Sequence, residues 1–319
     1  MMLMTAHRPL PDVAFEPAAL ARALDWVGME GIALPIRLND RGLQAAAKVD
    51  VGVNLRDPER RGIHMSRLYL QLQQMLPQSR LDALALEALL AGLIESQQGA
   101  SDRVQLLIRY DHLLERPALV SANRGWKNYP VALRSEHGAA GTRHLLSLQV
   151  EYSSTCPASA ALSRELSADA FARRFGQGDV DADAVRDWLA SREGMAATPH
   201  AQRSIADVEV ELAAGFERLP VLALVDALEQ ALATPVQTAV KREDEQAFAR
   251  ANAENLMFCE DAARRVAAAL SALPWVRAWS ARVAHLESLH AHDAVARVAG
   301  RNGQGESDWA DAPQAGSED

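Results

Sequence analysis

A chain of 319 residues with 49% hydrophobic and 24% charged side chains has enough apolar surface for one large core or two modest ones. Lys and Arg number 33 against 42 Asp and Glu; the net charge of −9 excludes a general binder of nucleic acid or of anionic membrane, and leaves a small polyanion as a partner only where basic side chains converge. Two cysteines exclude a disulfide framework, no apolar run approaches the roughly 20 residues of a membrane span, and the N-terminal MMLMTAHRPLPDV has no secretory pattern, so a reducing cytoplasm is the expected setting.

From Gly31, GIALPIRL leads through the turn-like NDRG into LQAAAKVDVGVNL, where Val49, Val51, Val53 and Leu55 alternate with other side chains, which predicts a hairpin. MSRLYLQLQQML and LDALALEALLAGLIES, split by PQSR, have helical periodicity and predict a helix pair. VQLLIRYDHLLE, the segment from Trp126 to His137, and TRHLLSLQVEY return to period two, with Leu146, Leu148, Val150 and Tyr152 on one side. The second half begins with a charged, Ala-rich, helical stretch at 164–198 that has the character of an insertion. QRSIADVEVEL then reads as a strand, LPVLALVDALEQALA as a helix and PVQTAVK as a strand. EDEQAFARANAENLMFCEDAARRVAAALSAL reads as a helix interrupted near Asn255, and WVRAWSARVAHLES as a closing strand. Residues 300–319, rich in Gly, Ser, Asp and Glu, read as a solvated tail. The pattern is α+β; the halves share an order of elements without a residue-level repeat.

Groups able to bind a metal are scattered: Cys156 in a small-residue turn after a strand, His200, Glu243, Glu245, Glu260, Glu287, His290 and His292. A borderline-soft divalent ion accepts thiolate, imidazole and carboxylate together, although each residue taken alone is more often structural. On a strand His290 and His292 share a face, whereas Glu287 and His290 share one only on a helix, so the three converge only if a turn intervenes. Glu245 and Glu260 would stand about 22 Å apart on one continuous helix; they share a pocket only if the helix breaks near Asn255 or if different subunits contribute.

The fragments GIHMSR (62–67), STCPASAAL (154–162), HAQRS (200–204), VKREDE (240–245), ENLMFCED (254–261) and ESLHAHDA (287–294), in this order, resemble the successive signatures of the prokaryotic type IB GTP cyclohydrolase I. The resemblance runs from about Gly31 to Ala296, interrupted mainly by 164–198. It implies the tunnelling fold, two modules of antiparallel strands backed by helices, with subunits assembled into a homotetramer and sites between subunits. The implied boundaries are an N-terminal extension at 1–30, a first module at 31–155 and a second at 156–299. The implied activity converts GTP and water to formate and 7,8-dihydroneopterin triphosphate, an entry step to folate-type pterins.

Carried over position by position, the resemblance makes Cys156, His200 and Glu245 ligands of a divalent ion (zinc, manganese or iron), with Glu287 and His290 near the ion or its water. It assigns Glu260 to the guanine edge, where an acceptor-only carboxylate receives two donors at once. Arg67, Arg203, Lys241 and Arg242 are implied for the triphosphate, and His290 and His292 are candidates to shuttle protons. Water activated at the ion is expected to attack C8 of GTP and open the imidazole ring, with formate released afterwards. Two departures stand out. Ala158 occupies the place of a second cysteine common in the family, which keeps a non-catalytic nucleotide-binding protein as the alternative. ENLMF replaces ENPMF, so a helix break near Leu256 has to form without proline. Cys259 matches no functional position and reads as core.

Overall fold

The computed structural model describes residues 13–38, 43–176 and 178–302; the NDRG turn and the tail beyond 302 lie outside the described residues. The chain is α+β. A short 3-10 turn at Val13–Phe15 precedes β1 (Leu24–Arg37), β2 (Gln44–Leu55), α1 (Met65–Met75), α2 (Ala83–Glu95), β3 (Val104–Pro117), β4 (Arg124–Gly138) and β5 (Gly141–Thr155). There follow α3 (Pro157–Phe175), α4 (Ala182–Ala190), β6 (Ala201–Leu212), α5 (Val221–Leu232), α6 (Arg242–Glu254), α7 (Cys259–Ser271), β7 (Val276–His285) and β8 (Ala294–Arg301). The strands form one eight-stranded sheet in chain order, with β1–β2, β2–β3 and β7–β8 antiparallel. No described helix is long and apolar enough to cross a membrane.

Two compact units divide the chain. The first comprises residues 1–112, 130–146 and 211–219. Period-two burial on β2 sends Val49, Val51, Val53 and Leu55 inward, with Leu106 and Ile108 of β3 beside them. Leu68 and Leu72 of α1, with Leu86, Leu90 and Leu93 of α2, are also buried, as their helical spacing predicts. Asp82 starts α2 by accepting the Ala85 N–H at 2.8 Å. β1 starts at Leu24, seven residues before the expected boundary at Gly31. Its register with β2 is broken between Met29 and Ile32, where Gly31 takes φ +71° and its N–H donates to Asp50 Oδ1 at 2.8 Å. That irregularity erases the alternation by which the first half of the strand would be recognised.

The second unit comprises 113–129, 147–210 and 220 onward. α7 packs on β7 and β8, and α5 on α7, burying Leu224, Val225, Leu228, Val266 and Leu270. The expected helix interruption is present: α6 ends at Glu254 and α7 begins at Cys259. Hydrogen bonds replace proline there. Asn255 Nδ2 donates to Leu232 O at 2.8 Å, Arg265 Nη1 donates to Asn255 Oδ1 at 2.5 Å, and the Met257 N–H donates to Thr155 O at 3.2 Å. PVQTAVK is not a strand; it forms one isolated bridge, Tyr152 to Pro235, because a proline has no N–H to extend a ladder. β8 runs to Arg301, into the stretch expected to be tail, and pairs with β7 from Ala294 to Arg301. The inserted region is helical, but α3 begins directly after Cys156. α3 and α4 are joined by an aromatic group: the Trp188 ring lies 6.1 Å from Phe171 and 5.6 Å from Phe175.

α5 is tied to β3 and β4 by a buried ionic cluster. Glu229 accepts from Lys127 Nζ at 2.8 Å, Tyr129 Oη at 2.6 Å and Arg116 Nη2 at 2.6 Å. Burial pushes the Glu229 carboxyl up, but hydrogen bonds from Lys127 and Tyr129 and the charges of Lys127 and Arg116 outweigh it and leave the group below the ordinary range. Replacing Glu229 with Ala strands the Lys127 ammonium in the interior and is expected to cost about 3 kcal/mol in urea unfolding at pH 7. Because the folded-state pKa is depressed, this contribution is full above the ordinary glutamate value and is lost as pH falls through the folded one. The stability gap between wild type and Glu229→Ala should therefore narrow in acid.

Candidate active site

The site is built where β5 ends and β6 begins. Alternation along β5 turns Tyr152 and Ser154 inward, and Cys156 follows in extended backbone (φ −67°, ψ 123°). Pro157 occupies the first position of α3, where a missing N–H costs nothing. The Cys156 N–H donates to His200 O at 3.3 Å, and the His200 N–H donates to Ser159 Oγ at 3.1 Å. The whole excursion through α3 and α4 is thereby closed at its base, with a free, half-buried thiol on one side and an imidazole on the other.

His200 and Gln202 share a face of β6. The His200 Nδ1 lies 3.0 Å from Gln202 Oε1, and Gln202 Nε2 donates to Glu287 Oε1 at 3.4 Å. Glu287, just past the end of β7, brings Oε2 to 3.9 Å from His200 Nδ1; that oxygen is buried and has no hydrogen-bond partner. In the tautomer whose Nδ1–H donates to Gln202 Oε1, the lone pair of His200 is on Nε2, the form a metal accepts. Gln202 was not singled out in the sequence, although its place two residues after His200 on a strand is the signal that marks it.

Beneath these groups, Tyr152 Oη lies 2.9 Å from His285 Nε2, and Ser154 Oγ 2.7 Å from Ser204 Oγ. Burial pushes the His285 imidazole down to about 4, against the opposing charges of Glu287 and Glu260. Glu260 is exposed in the first turn of α7 and accepts the Cys259 thiol at 3.4 Å. Burial, reinforced by the Glu260 hydrogen bond and charge, pushes that thiol up to about 11. Cys259 is buried, as expected of core, and its sulfur also faces a site carboxylate.

A turn does intervene in ESLHAHDA. Residues 288–292 bend between β7 and β8, leaving His290 and His292 exposed with rings stacked 5.2 Å apart at 15°. Glu245 stands apart from Cys156 and His200. It is exposed in the first turn of α6, seven residues before Asn252, hence about 10 Å along the axis from it. It is Asn252 that meets the end of β5, accepting from Ser153 Oγ at 2.6 Å and from Thr155 Oγ1 at 3.4 Å. Among the described residues no three of His, Cys, Asp and Glu are grouped closely enough to hold an ion. Arg203 is exposed and pairs with Glu151 at 3.4 Å; Lys241 and Arg242 are exposed at the start of α6. Arg67 belongs to α1 in the first unit, where Nη1 donates to Ser96 O at 2.7 Å.

The start of α6 is anchored by a residue the sequence reading passed over. Buried Asp244 accepts the N–H groups of Val120, Ser121 and Lys241 at 2.8 Å each, and the Ser121 hydroxyl at 2.6 Å. The Ser121 hydroxyl leads these donors in holding the carboxyl well below the usual range, burial opposing and the three backbone donors adding to it.

The class to which this arrangement belongs is that of the type I GTP cyclohydrolases: the family model described as "GCHY-1: Type I GTP cyclohydrolase folE2" matches residues 10–296. GTP cyclohydrolase FolE2 of Pseudomonas putida (strain GB-1) is 50% identical over 287 residues, covering 90% of this chain and 94% of that protein. The chain belongs to the folE2 family. Among solved structures, uricase from Arthrobacter globiformis is similar over 89% of this chain and 96% of its own, at 8% identity and a TM-score of 0.47. A uricase from Bacillus fastidious is similar over 86% and 93%, at 8% identity and a TM-score of 0.44. Likeness at that level carries no inference about chemistry.

Asp244→Ala should loosen both the first turn of α6 and the 118–123 turn, read as faster amide exchange at Val120, Ser121 and Lys241 with the rest of the chain unchanged. In the wild type, the depressed carboxyl preserves this protection well into acid and loses it only as pH falls through the folded-state value.

Proposed function

We propose that the chain is a GTP cyclohydrolase I that hydrolyses GTP to formate and 7,8-dihydroneopterin triphosphate, on a tunnelling fold assembled as a homotetramer in the cytoplasm. Family membership supports the activity. The observation that carries the site assignment is the Gln202 bridge between His200 and Glu287, with the Cys156 N–H bonded to the His200 carbonyl and a buried Glu287 oxygen left without a hydrogen bond. A buried carboxylate oxygen without a donor is costly, and a cation or an ordered water relieves that cost.

In this reading Cys156, His200 and Glu245 hold a zinc, manganese or iron ion, with Glu287 and His290 beside it or its water. Sulfur, imidazole and carboxylate are the donor set that such borderline ions accept. Glu245, exposed in the first turn of α6, fits a site completed by a neighbouring copy. When bound, an ion of this kind lowers the pKa of its water to near 7, which makes attack on C8 of a purine feasible at neutral pH.

The chain's own residues do the remaining work. Glu260 accepts from the N–H groups of the guanine edge and thereby excludes adenine, which presents a different donor pattern. Arg203, Lys241 and Arg242 meet the triphosphate, and Arg67 adds the guanidinium nitrogens not engaged with Ser96. In this reading local cations offset the net negative charge of the protein where the polyanion binds. His290 and His292, exposed side by side, take and return protons as the ring opens, the formamide is cleaved and the new ring closes. Ala158, exposed at the start of α3, supplies no thiol, so no step passes through that position.

Incubation of the metal-loaded protein with GTP should release formate in step with pterin fluorescence. Cys156→Ala is expected to lose both stoichiometric metal and turnover; a variant that kept both would overturn the ligand assignment. Glu260→Ala should raise KM for GTP by roughly 10- to 100-fold, the size of a lost hydrogen bond to a charged group, while metal content stays at wild-type level.

A further inference from the structure

We infer that Tyr152 and His285 form a positioning pair that spans β6 and sets the separation of the strand ends carrying Cys156 and Glu287; the inference rests on the site assignment proposed above. β5 and β7 are not neighbours in the sheet, since β6 lies between them. Their side chains nevertheless meet: Tyr152 Oη and His285 Nε2 are 2.9 Å apart, with the rings edge to face at 5.8 Å. Both residues are buried. The intervening strand takes part through a second buried pair, because Ser204 Oγ of β6 lies 2.7 Å from Ser154 Oγ of β5.

Two hydrogen-bonded pairs thus place four buried polar groups across three adjacent strands, in an interior where apolar side chains of similar volume would be less costly. Strand alternation shows what they serve. Cys156 follows Tyr152 and Ser154 on the same face of β5; His200 and Gln202 precede Ser204 on the same face of β6; Glu287 follows His285 with the same parity. Each strand end therefore carries one site group or pair and, next to it, at least one member of the two buried pairs. A hydrogen bond across β6 restrains the outer two strands directly, a constraint that ladder pairing to β6 alone leaves softer. Since misplacement of a reacting group by about 1 Å can cost on the order of 100-fold in rate, such a restraint acts on turnover rather than on folding.

Tyr152→Phe removes a single oxygen and keeps the ring packing. Three readouts are taken on the full-length protein: steady-state kinetics with GTP, the ligand-field and thiolate charge-transfer spectrum after loading with Co(II), and the thermal unfolding midpoint. The expected result is a kcat lowered roughly 10- to 100-fold, KM for GTP within a factor of about two of wild type, an altered Co(II) spectrum, and a midpoint close to wild type. His285→Gln, which returns a polar group to the place of Nε2, should keep more activity than His285→Leu. A Tyr152→Phe variant with wild-type kcat and an unchanged Co(II) spectrum overturns the inference while leaving the function standing. A wild-type protein that takes up no cobalt and releases no formate removes the proposed function, and the positioning role with it.

Discussion

A single backbone contact organises the candidate site: the N–H of Cys156 donates to the carbonyl of His200. It joins the end of β5 to the start of β6 and brings the backbones that carry a thiol and an imidazole together at one end of these two interior strands, independently of the residues that separate them. The second tie, from the His200 N–H to Ser159, fixes the first turn of α3 against the same end. Because the entropy of closing a loop rises only with the logarithm of its length, about 0.6 kcal/mol per doubling, a long helical insertion between the two residues is tolerated. α3 and α4 supply their own stabilisation through Phe171, Phe175 and Trp188.

In the first unit helices and strands meet mainly through aliphatic side chains, and the burial pattern follows directly from periodicity. In the second, polar side chains also fix the ends and the docking of helices. Asp244 gathers three N–H groups and a hydroxyl at the start of α6, next to Lys241, Arg242 and Glu245. Asn255 breaks the helix before Glu260, doing with its side-chain amide what a proline would do by removing a donor. Glu229 holds α5 to the β3 and β4 strands through three cationic or hydroxyl donors. A buried carboxylate is stable only when so satisfied, and each then specifies one geometry and penalises others.

Much of the architecture was legible because burial leaves a periodic trace. β2, β3, β5, β6 and the α1–α2 pair all carry alternating or helical apolar patterns, and the helical run that contains ENLMF reads as interrupted near Asn255. The failures share a cause, which is that the deciding interaction is not local. The first half of β1 was missed because a bulge at Gly31 breaks the alternation. PVQTAVK has strand composition, but only an isolated bridge at Pro235 forms there. β8 lies beyond the strand expected to close the fold: the small side chains of AVARVAGR give little contrast between faces, and only pairing with β7 defines it.

The sequence by itself determined the family, through six short fragments in fixed order, and with it the residue types able to bind an ion, a guanine edge and a triphosphate. Residue types and their order are properties of the chain alone. Only the tertiary structure decided which of them meet: Gln202 between His200 and Glu287, the Cys259 thiol on Glu260, Tyr152 against His285, and Glu245 away from Cys156 on the exposed start of α6. Those pairings are set by strand order and by where α6 breaks, and neither quantity is encoded in the spacing of the residues they join.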